Sequence, residues 1–419
     1  MSRSFLMLSQ VYVPDPASVG QHLADAAAEL VGRGHRVVVL TSDRGYDDPS
    51  VRYPARQVID GVEVRRIPWT SFGKRSMALR LLAGVSFTLQ AIARGLALGW
   101  LDAVVVSTTP PTAPLAAVAI AAWRRVPIKY WVMDLNPDQL IALGIVRPSS
   151  LVARAFDWLN RLILRRAVDI VVLDRFMAAR VNRKVDTSAK LTILPPWPHE
   201  DHLTQVEHRD NPFRARHGLE GKVVVMYSGN HGPSNPITTI LRAAERLRDT
   251  PDLVFLFVGG GISKDEVEAV AGPTIRSLPY QPLSGLSDSL SAADVHLVTV
   301  GDGVVGIVHP SKIYGALAVG RPILLLGPDE CHVAEILRSG DLGWRVSHGD
   351  VEGAVRVLRE IARMTPASLT SKGAGGRSLI ARRFSKTVLC GQFCDVLERG
   401  LETRPSASIL EQTSRPSPS

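Results

Sequence analysis

Val223-Val224-Val225-Met226-Tyr227-Ser228-Gly229-Asn230-His231-Gly232-Pro233 decides how this chain of 419 residues folds. Five apolar residues in succession, without polar alternation, read as a strand buried on both faces, as a parallel sheet requires. The two glycines that follow let backbone approach a ligand closely, and Asn230 and His231 bring hydrogen-bond donors to the same turn. A helix is expected next, over about 236–247. Strand, glycine corner and helix in that order open a doubly wound sheet, where ligands bind outside the carboxyl ends of the strands. The plainer reading is a tight turn with a solvated histidine.

The same pattern extends in both directions. Apolar bursts follow at 253–258, 295–300, 322–326 and 342–346, and precede at 5–8, 37–40, 62–67, 103–106, 128–132, 170–173 and 191–194. Most are separated by amphipathic stretches of helix length, so the fold class is α/β with parallel sheets and crossover helices. Leu194-Pro195-Pro196-Trp197-Pro198 interrupts the alternation and reads as a linker. The chain is too long for one core to be the expected answer. We therefore divide it into a first domain over 1–197, a second over 198–385 and a closing helix over 386–402 expected to pack back on the first. A tail over 403–419, rich in Ser and Pro, has little to bury and is expected to be disordered.

Three other strand ends carry chemistry. Residues 301–322 form a glycine-rich loop leading into a short helix with Ser311 and Lys312 in its first turn and Gly320 at its end. A lysine there opposes the helix dipole, and a bound diphosphate gives it a reason to be present; a solvated surface lysine is the alternative. The small-residue loop 12–22, which contains Gly20, either offers free N–H groups to an anion or is turn chemistry only. Asp134, at the end of the 128–132 burst, reads equally as a base or hydroxyl binder facing a cleft and as a helix cap before Pro137.

Composition narrows the partners. A formal net charge of +9 suits a surface that meets anions. Without a Lys/Arg tract, zinc spacing or RNP-like aromatic motif, nucleic acid is the weakest candidate. Three cysteines, Cys331, Cys390 and Cys394, an odd number in a long chain, argue against a disulfide framework and fit a reducing compartment. The first ten residues run straight into a strand without the features of a signal peptide, and no apolar run reaches the roughly 18 residues of a spanning helix. We expect a cytoplasmic protein. Residues 72–98 are basic and apolar, which fits either an anionic membrane surface or packed core; residues 151–166 read as packing.

At these junctions the chain resembles the retaining family 4 glycosyltransferases of the GT-B fold, near the bacterial cell-surface polysaccharide branch that includes fucosamine and colanic acid transferases. The likeness runs from Phe5 to about Leu401. It rests on the order of short strings: the loop ending at Gly20, Gly34-His35, Asp134-Leu135-Asn136-Pro137-Asp138, Tyr227-Ser228-Gly229-Asn230, Val258-Gly259-Gly260-Gly261, Ala292-Ala293-Asp294, and Pro310-Ser311-Lys312-Ile313-Tyr314 through Gly320-Arg321-Pro322. The resemblance implies two Rossmann-like domains whose parallel sheets face each other across a cleft. It implies a nucleotide-diphosphate sugar as donor substrate, no cofactor, no required metal, and transfer of a hexosyl or N-acetylhexosaminyl group with retention. The acceptor would be a glycan or a polyprenyl-diphosphate-linked sugar, reached from the inner face of the cell membrane.

On that resemblance Lys312, Asp134 and His231 are assigned to catalysis, and Gly20, Gly229, Asn230, Gly232, His309, Ser311 and Tyr280 to the donor. Two departures matter. Many relatives carry a pair of glutamates where this chain has Ile307 and Gly315, and the usual Arg and Lys of the Gly229 loop are absent, with His231 as partial substitute. The missing pair leaves room for a silent nucleotide-sugar-binding subunit, and the fold for a nucleotide-sugar 2-epimerase.

Overall fold

The computed structural model describes residues 2–46, 48–72, 77–198 and 203–401. The tail expected over 403–419 and the basic pair Lys74-Arg75 lie outside the described residues. The first sheet has eight strands: β1 (Ser4–Leu8), β2 (Arg36–Ser42), β3 (Arg56–Ile59), β4 (Val62–Ile67), β5 (Ala103–Val106), β6 (Ile128–Trp131), β7 (Asp169–Val172) and β8 (Leu191–Ile193), in the order β3-β4-β2-β1-β5-β6-β7-β8. The second has six: β9 (Val223–Ser228), β10 (Leu253–Val258), β11 (Ile275–Leu278), β12 (Val295–Thr299), β13 (Ile323–Leu326) and β14 (Gly343–Val346), ordered β11-β10-β9-β12-β13-β14. Of the twelve pairings, β3 with β4 is antiparallel and the rest are parallel.

The central strands are buried along their length, as their unbroken apolar sequences demand, and helices cover both faces. Strand order reverses between β1 and β5 in one sheet and between β9 and β12 in the other. At such a reversal the crossover helices leave to opposite faces and open a crevice at the strands' carboxyl ends. Two strands escape the sequence pattern. In β3, Arg56-Gln57-Val58 is exposed, so no apolar run marks it. In β11, Ile275-Arg276-Ser277-Leu278 covers an edge and alternates too briefly to register.

The helix Met77–Leu96 answers both readings of its sequence: Ala83, Phe87, Thr88 and Ala91 face the core, while Leu79, Leu81, Leu82, Val85 and Leu89 remain exposed. Among the described residues no helix is long and apolar enough to cross a membrane.

The last helix, Lys386–Glu398, belongs to the end of the chain but lies against the first sheet. Its amino end is capped by Ser385, which accepts from the Val388 N–H. Phe393 packs 4.4 Å from the Trp131 ring, which in turn stacks on Trp197 of the linker at 5.8 Å. Arg33 reaches Asp395 at 2.7 Å and Glu398 at 2.9 Å from the other side. The linker is therefore anchored in the core rather than free, with the Trp197 indole donating to Asp25 at 2.9 Å.

Candidate active site

The corner after β9 is built around a lysine. Gly229 has φ +130°, and a Cβ there would fall 2.5 Å from Lys312 Cε. Only glycine accepts both the backbone and the contact. Gly259, at the end of β10, is held the same way, since its Cβ would run into the Gly229 carbonyl. Tyr227, in the last turn of β9 before the corner, donates its hydroxyl to the Asn230 carbonyl at 2.6 Å and accepts from Lys312 Nζ at 2.6 Å. Lys312 also donates to the Asn230 carbonyl at 3.2 Å, with its ammonium 4.6 Å from the Tyr227 ring centre.

All of these partners are neutral. Burial without a carboxylate beside it pushes Lys312 down to about 7. The corner is thus a place where a cation has been desolvated and aimed but not compensated, and an anion arriving there would restore its charge.

A cavity of about 760 Å³ lies in front of it, between the two lobes. The carboxyl lobe contributes Gly229, Asn230, Gly232, Tyr280, His309, Ser311 and Lys312, so seven of the ten expected residues come together. The amino lobe contributes Ser18, Gln21, Gln139 and Leu143, which sequence reasoning did not single out. Ser18 and Gln21 were within reach of it: they stand in the first turn of the helix that follows the early loop. Among the described residues, no aspartate or glutamate lines the cavity.

Three of the ten, Gly20, His231 and Asp134, are not among the residues that line the cavity, and a fourth, His309, is tied up by other partners. The N–H of Gly20 is bound to the Ala17 carbonyl at 2.9 Å, and its missing side chain makes room for the backbone of Tyr12, 3.0 Å from where a Cβ would sit. Its role is close packing of helix on loop, and its neighbours Ser18 and Gln21 face the cavity instead.

His231 turns inward rather than toward a phosphate. Its ring is fully buried beside Tyr227 at 4.7 Å and Phe257 at 6.2 Å, and desolvation lowers its proton affinity. It braces the corner, its N–H bound to the Gly260 carbonyl at 2.8 Å. The charge it was expected to supply falls to Lys312.

His309 touches the cavity, but both of its ring nitrogens are committed. Nδ1 lies 3.0 Å from Asp174 of the amino lobe and Nε2 2.8 Å from the Tyr314 hydroxyl, which also meets His332 at 3.2 Å. Burial opposes ionisation of Asp174, yet the hydrogen bonds from His309 and the Met177 N–H hold its carboxyl below the ordinary carboxylate value. Burial pushes His332 down to about 3. The residue is a strut between lobes, and Asp174, its partner, was not legible because the two are 135 positions apart.

Asp134 stands at the end of β6, half-buried, and desolvation pushes its carboxyl up to about 6. It does not cap the helix Asp138–Ala142, whose amino end is Pro137 with no side-chain cap, so that reading is not realised. Nor is it among the residues lining the cavity. The next residue, Leu135, donates its N–H to the Ile307 carbonyl at 3.2 Å, which places Asp134 at the seam between lobes. Ile307 itself is buried, while Gly315 lines a small cavity of about 250 Å³ together with Ser228, Gln281, Ser289 and Lys312.

Two doubly wound sheets with a cavity between them are the GT-B architecture, and the sequence relatives of this chain are glycosyltransferases. Residues 18–197 match the glycosyl transferase 4-like domain. The chain is 28% identical over 270 residues to the probable glycosyltransferase WbjE of Pseudomonas aeruginosa, a match covering 63% of this chain and 66%, just under two thirds, of that protein. It is 26% identical over 328 residues to the putative colanic acid biosynthesis glycosyl transferase WcaI of Escherichia coli K12, covering 74% and 79% of the two. Among solved structures, Anabaena HepE in complex with UDP and glucose superposes with a TM-score of 0.70 at 13% identity, over 94% of this chain and 99% of that one.

Proposed function

We propose that this chain transfers a sugar, with retention, from a nucleotide-diphosphate donor to a hydroxyl of a glycan or lipid-linked acceptor during cell-surface polysaccharide biosynthesis. The observation that carries this is the Lys312 ammonium, desolvated and held only by the Tyr227 hydroxyl and the Asn230 carbonyl at the mouth of the interlobe cavity. A leaving diphosphate develops negative charge as its bond to the sugar breaks, and a fixed cation in a site of low dielectric stabilises that charge without reorganising. In this reading the glycine corner brings backbone up to the phosphates and the amino lobe presents the acceptor hydroxyl near Gln139. Among the described residues no carboxylate lines the cavity, which suits retention without a covalent sugar–enzyme intermediate.

The comparisons support the donor and the pathway class. HepE is seen with UDP and glucose in the same fold, and WcaI is named for colanic acid biosynthesis. We place the reaction on the cytoplasmic side of the membrane.

A thermal-shift screen of UDP, GDP, dTDP, ADP and CMP tests the reading, since a ligand that binds only the folded state raises apparent stability. At least one diphosphate should stabilise the wild type and lose that effect in Lys312→Ala. If no nucleotide stabilises the protein, or the variant responds like the wild type, the donor site is elsewhere.

A further inference from the structure

The helix Leu151–Arg166 reads as packing in its sequence, and one face of it does pack: Ala153, Leu159, Asn160, Ile163 and Leu164 are buried. Trp158 lies off that face and is 59% exposed. It lines a pocket of about 330 Å³ bounded by this helix, the helix Asp138–Ala142 and the end of the helix Arg175–Lys184. That volume lies at the lower end of the range for small-molecule sites, roughly 300–1,000 Å³.

The lining divides by chemistry. Trp158, Ile141 and Pro148 supply apolar surface, while Asp138, Asp157, Arg161 and Lys184 supply charge. Those four are matched among themselves: Lys184 Nζ sits 2.8 Å from Asp138 and 2.6 Å from Asp157, and Arg161 Nε donates to the other Asp157 oxygen at 2.7 Å. The Arg161 guanidinium also donates to the Lys184 carbonyl at 2.5 Å. Lys184 keeps only 12% of its side chain in water, and a pair so enclosed is often no more stabilising than an apolar replacement. Stability alone does not account for it.

What the network provides is donors beside acceptors, fixed in place and with their charges largely cancelled. A sugar hydroxyl both donates and accepts, so it pairs with such a set, where a phosphate or carboxylate would be opposed by Asp138 and Asp157. The C–H face of a sugar ring carries the weak positive charge that the negative face of an indole attracts. A pyranose therefore has two sides that match the two sides of the pocket. The position of the pocket relates it to the transfer. Asp138 and Ile141 line it, while Gln139 of the same helix, with Leu143 just beyond, lines the donor cavity. One helix, about 10 Å across, separates the two spaces, which is the reach of a short oligosaccharide.

We propose that this pocket binds a sugar ring of the acceptor glycan other than the one that reacts, with Trp158 against its C–H face and Asp138, Asp157, Arg161 and Lys184 at its hydroxyls. This rests on the transfer reading above and gives its acceptor a class: an oligosaccharide, uncharged at the bound ring and already more than one residue long. An enzyme so built extends a chain that an earlier glycosyl transfer has begun.

The experiment prints neutral and N-acetylated saccharides of one to four residues on an array, probes it with the full chain and titrates what is retained by calorimetry. At least one saccharide of two or more residues should bind, with an affinity constant within about 2-fold between about 0.05 and 0.5 M NaCl, since an uncharged ligand leaves salt nothing to screen. Trp158→Ala should weaken that binding at least about 10-fold, and Trp158→Phe, which keeps an aromatic face, by no more than about 3-fold. Nucleotide stabilisation should be the same in both variants as in the wild type, which shows that they fold. Retention of no oligosaccharide, or equal affinity in Trp158→Ala, overturns the proposal. Binding that salt abolishes, or that is seen only with vesicles of phosphatidylglycerol, overturns it in favour of an anion-binding or membrane-contact surface. If a nucleotide stabilises the protein while no oligosaccharide is retained, the subsite fails and the transfer reading stands; if an oligosaccharide binds through Trp158 while no nucleotide does, the subsite stands and the donor reading fails.

Discussion

In the amino lobe β1 runs through residues 9–17 into the helix Ser18–Gly32; in the carboxyl lobe β9 runs through residues 229–237 into the helix Thr238–Arg246. Each corner sits where its sheet reverses strand order, and each contains a glycine singled out in the sequence. The likeness ends at the side chains. At Gly229 the backbone is left-handed and a lysine lies against it; at Gly20 the backbone is helical and the neighbour is the main chain of Tyr12. One topology therefore yields a corner that presents Lys312 to the cavity on one side and one that presents Ser18 and Gln21 on the other. Topology marks where a ligand can lie, while local charge marks which lobe holds its phosphates.

That contrast can be broken experimentally. Lys312→Ala should lower transfer by at least about 100-fold with folding intact, the scale of losing one preorganised charge stabiliser. Turnover at the wild-type rate would erase the difference between the corners. Gly229→Ala should lower transfer about 10- to 100-fold, because the new methyl group displaces the ammonium from Tyr227 and a small misplacement is costly. Comparing its steady-state rate with that of Lys312→Ala shows whether the two residues act as one unit.

The pH profile sharpens the same point. Lys312 in the free protein loses its proton near pH 7, below the ordinary lysine value, so kcat/KM should fall as pH rises, about 10-fold by pH 8. A bound diphosphate favours the cation, so kcat should stay flat well above that pH. Parallel decline of both would mean that the lysine is not facing the phosphates. Gly20→Ala should have the smallest effect on chemistry: about 1–3 kcal/mol of overpacking, read as a lower denaturation midpoint, with transfer per folded molecule within about 3-fold of wild type. A loss as large as that of Gly229→Ala would return Gly20 to the donor.

Much of this architecture was readable because fully buried parallel strands spell themselves as apolar runs and their turns as glycine and proline. The Tyr227-Ser228-Gly229-Asn230 and Pro310-Ser311-Lys312 strings sit at strand ends, and the structure brings them together across 82 to 85 positions. What the sequence hides is direction. Nothing in the Gly229 loop says that Asn230 faces the cavity while His231 faces Phe257, since both are polar residues in one turn. The His309–Asp174 contact is hidden for another reason: it joins two lobes, and no periodicity within either one carries information about their docking. The strand β3 was missed because an exposed edge needs no apolar signal.

The return of the last helix to the first sheet has a consequence for how the halves can move. Trp197, where the chain leaves the amino lobe, and Phe393, in the helix that returns to it, are 5.9 Å apart, so both connections are anchored side by side in the amino lobe. Paired tethers permit rotation about the line that joins them and resist twisting, much as two pins turn a ball joint into a door. A fragment stopped at residue 197 would lose that second pin and bare Trp131 to water, so the amino half should not be expected to survive as a separate piece.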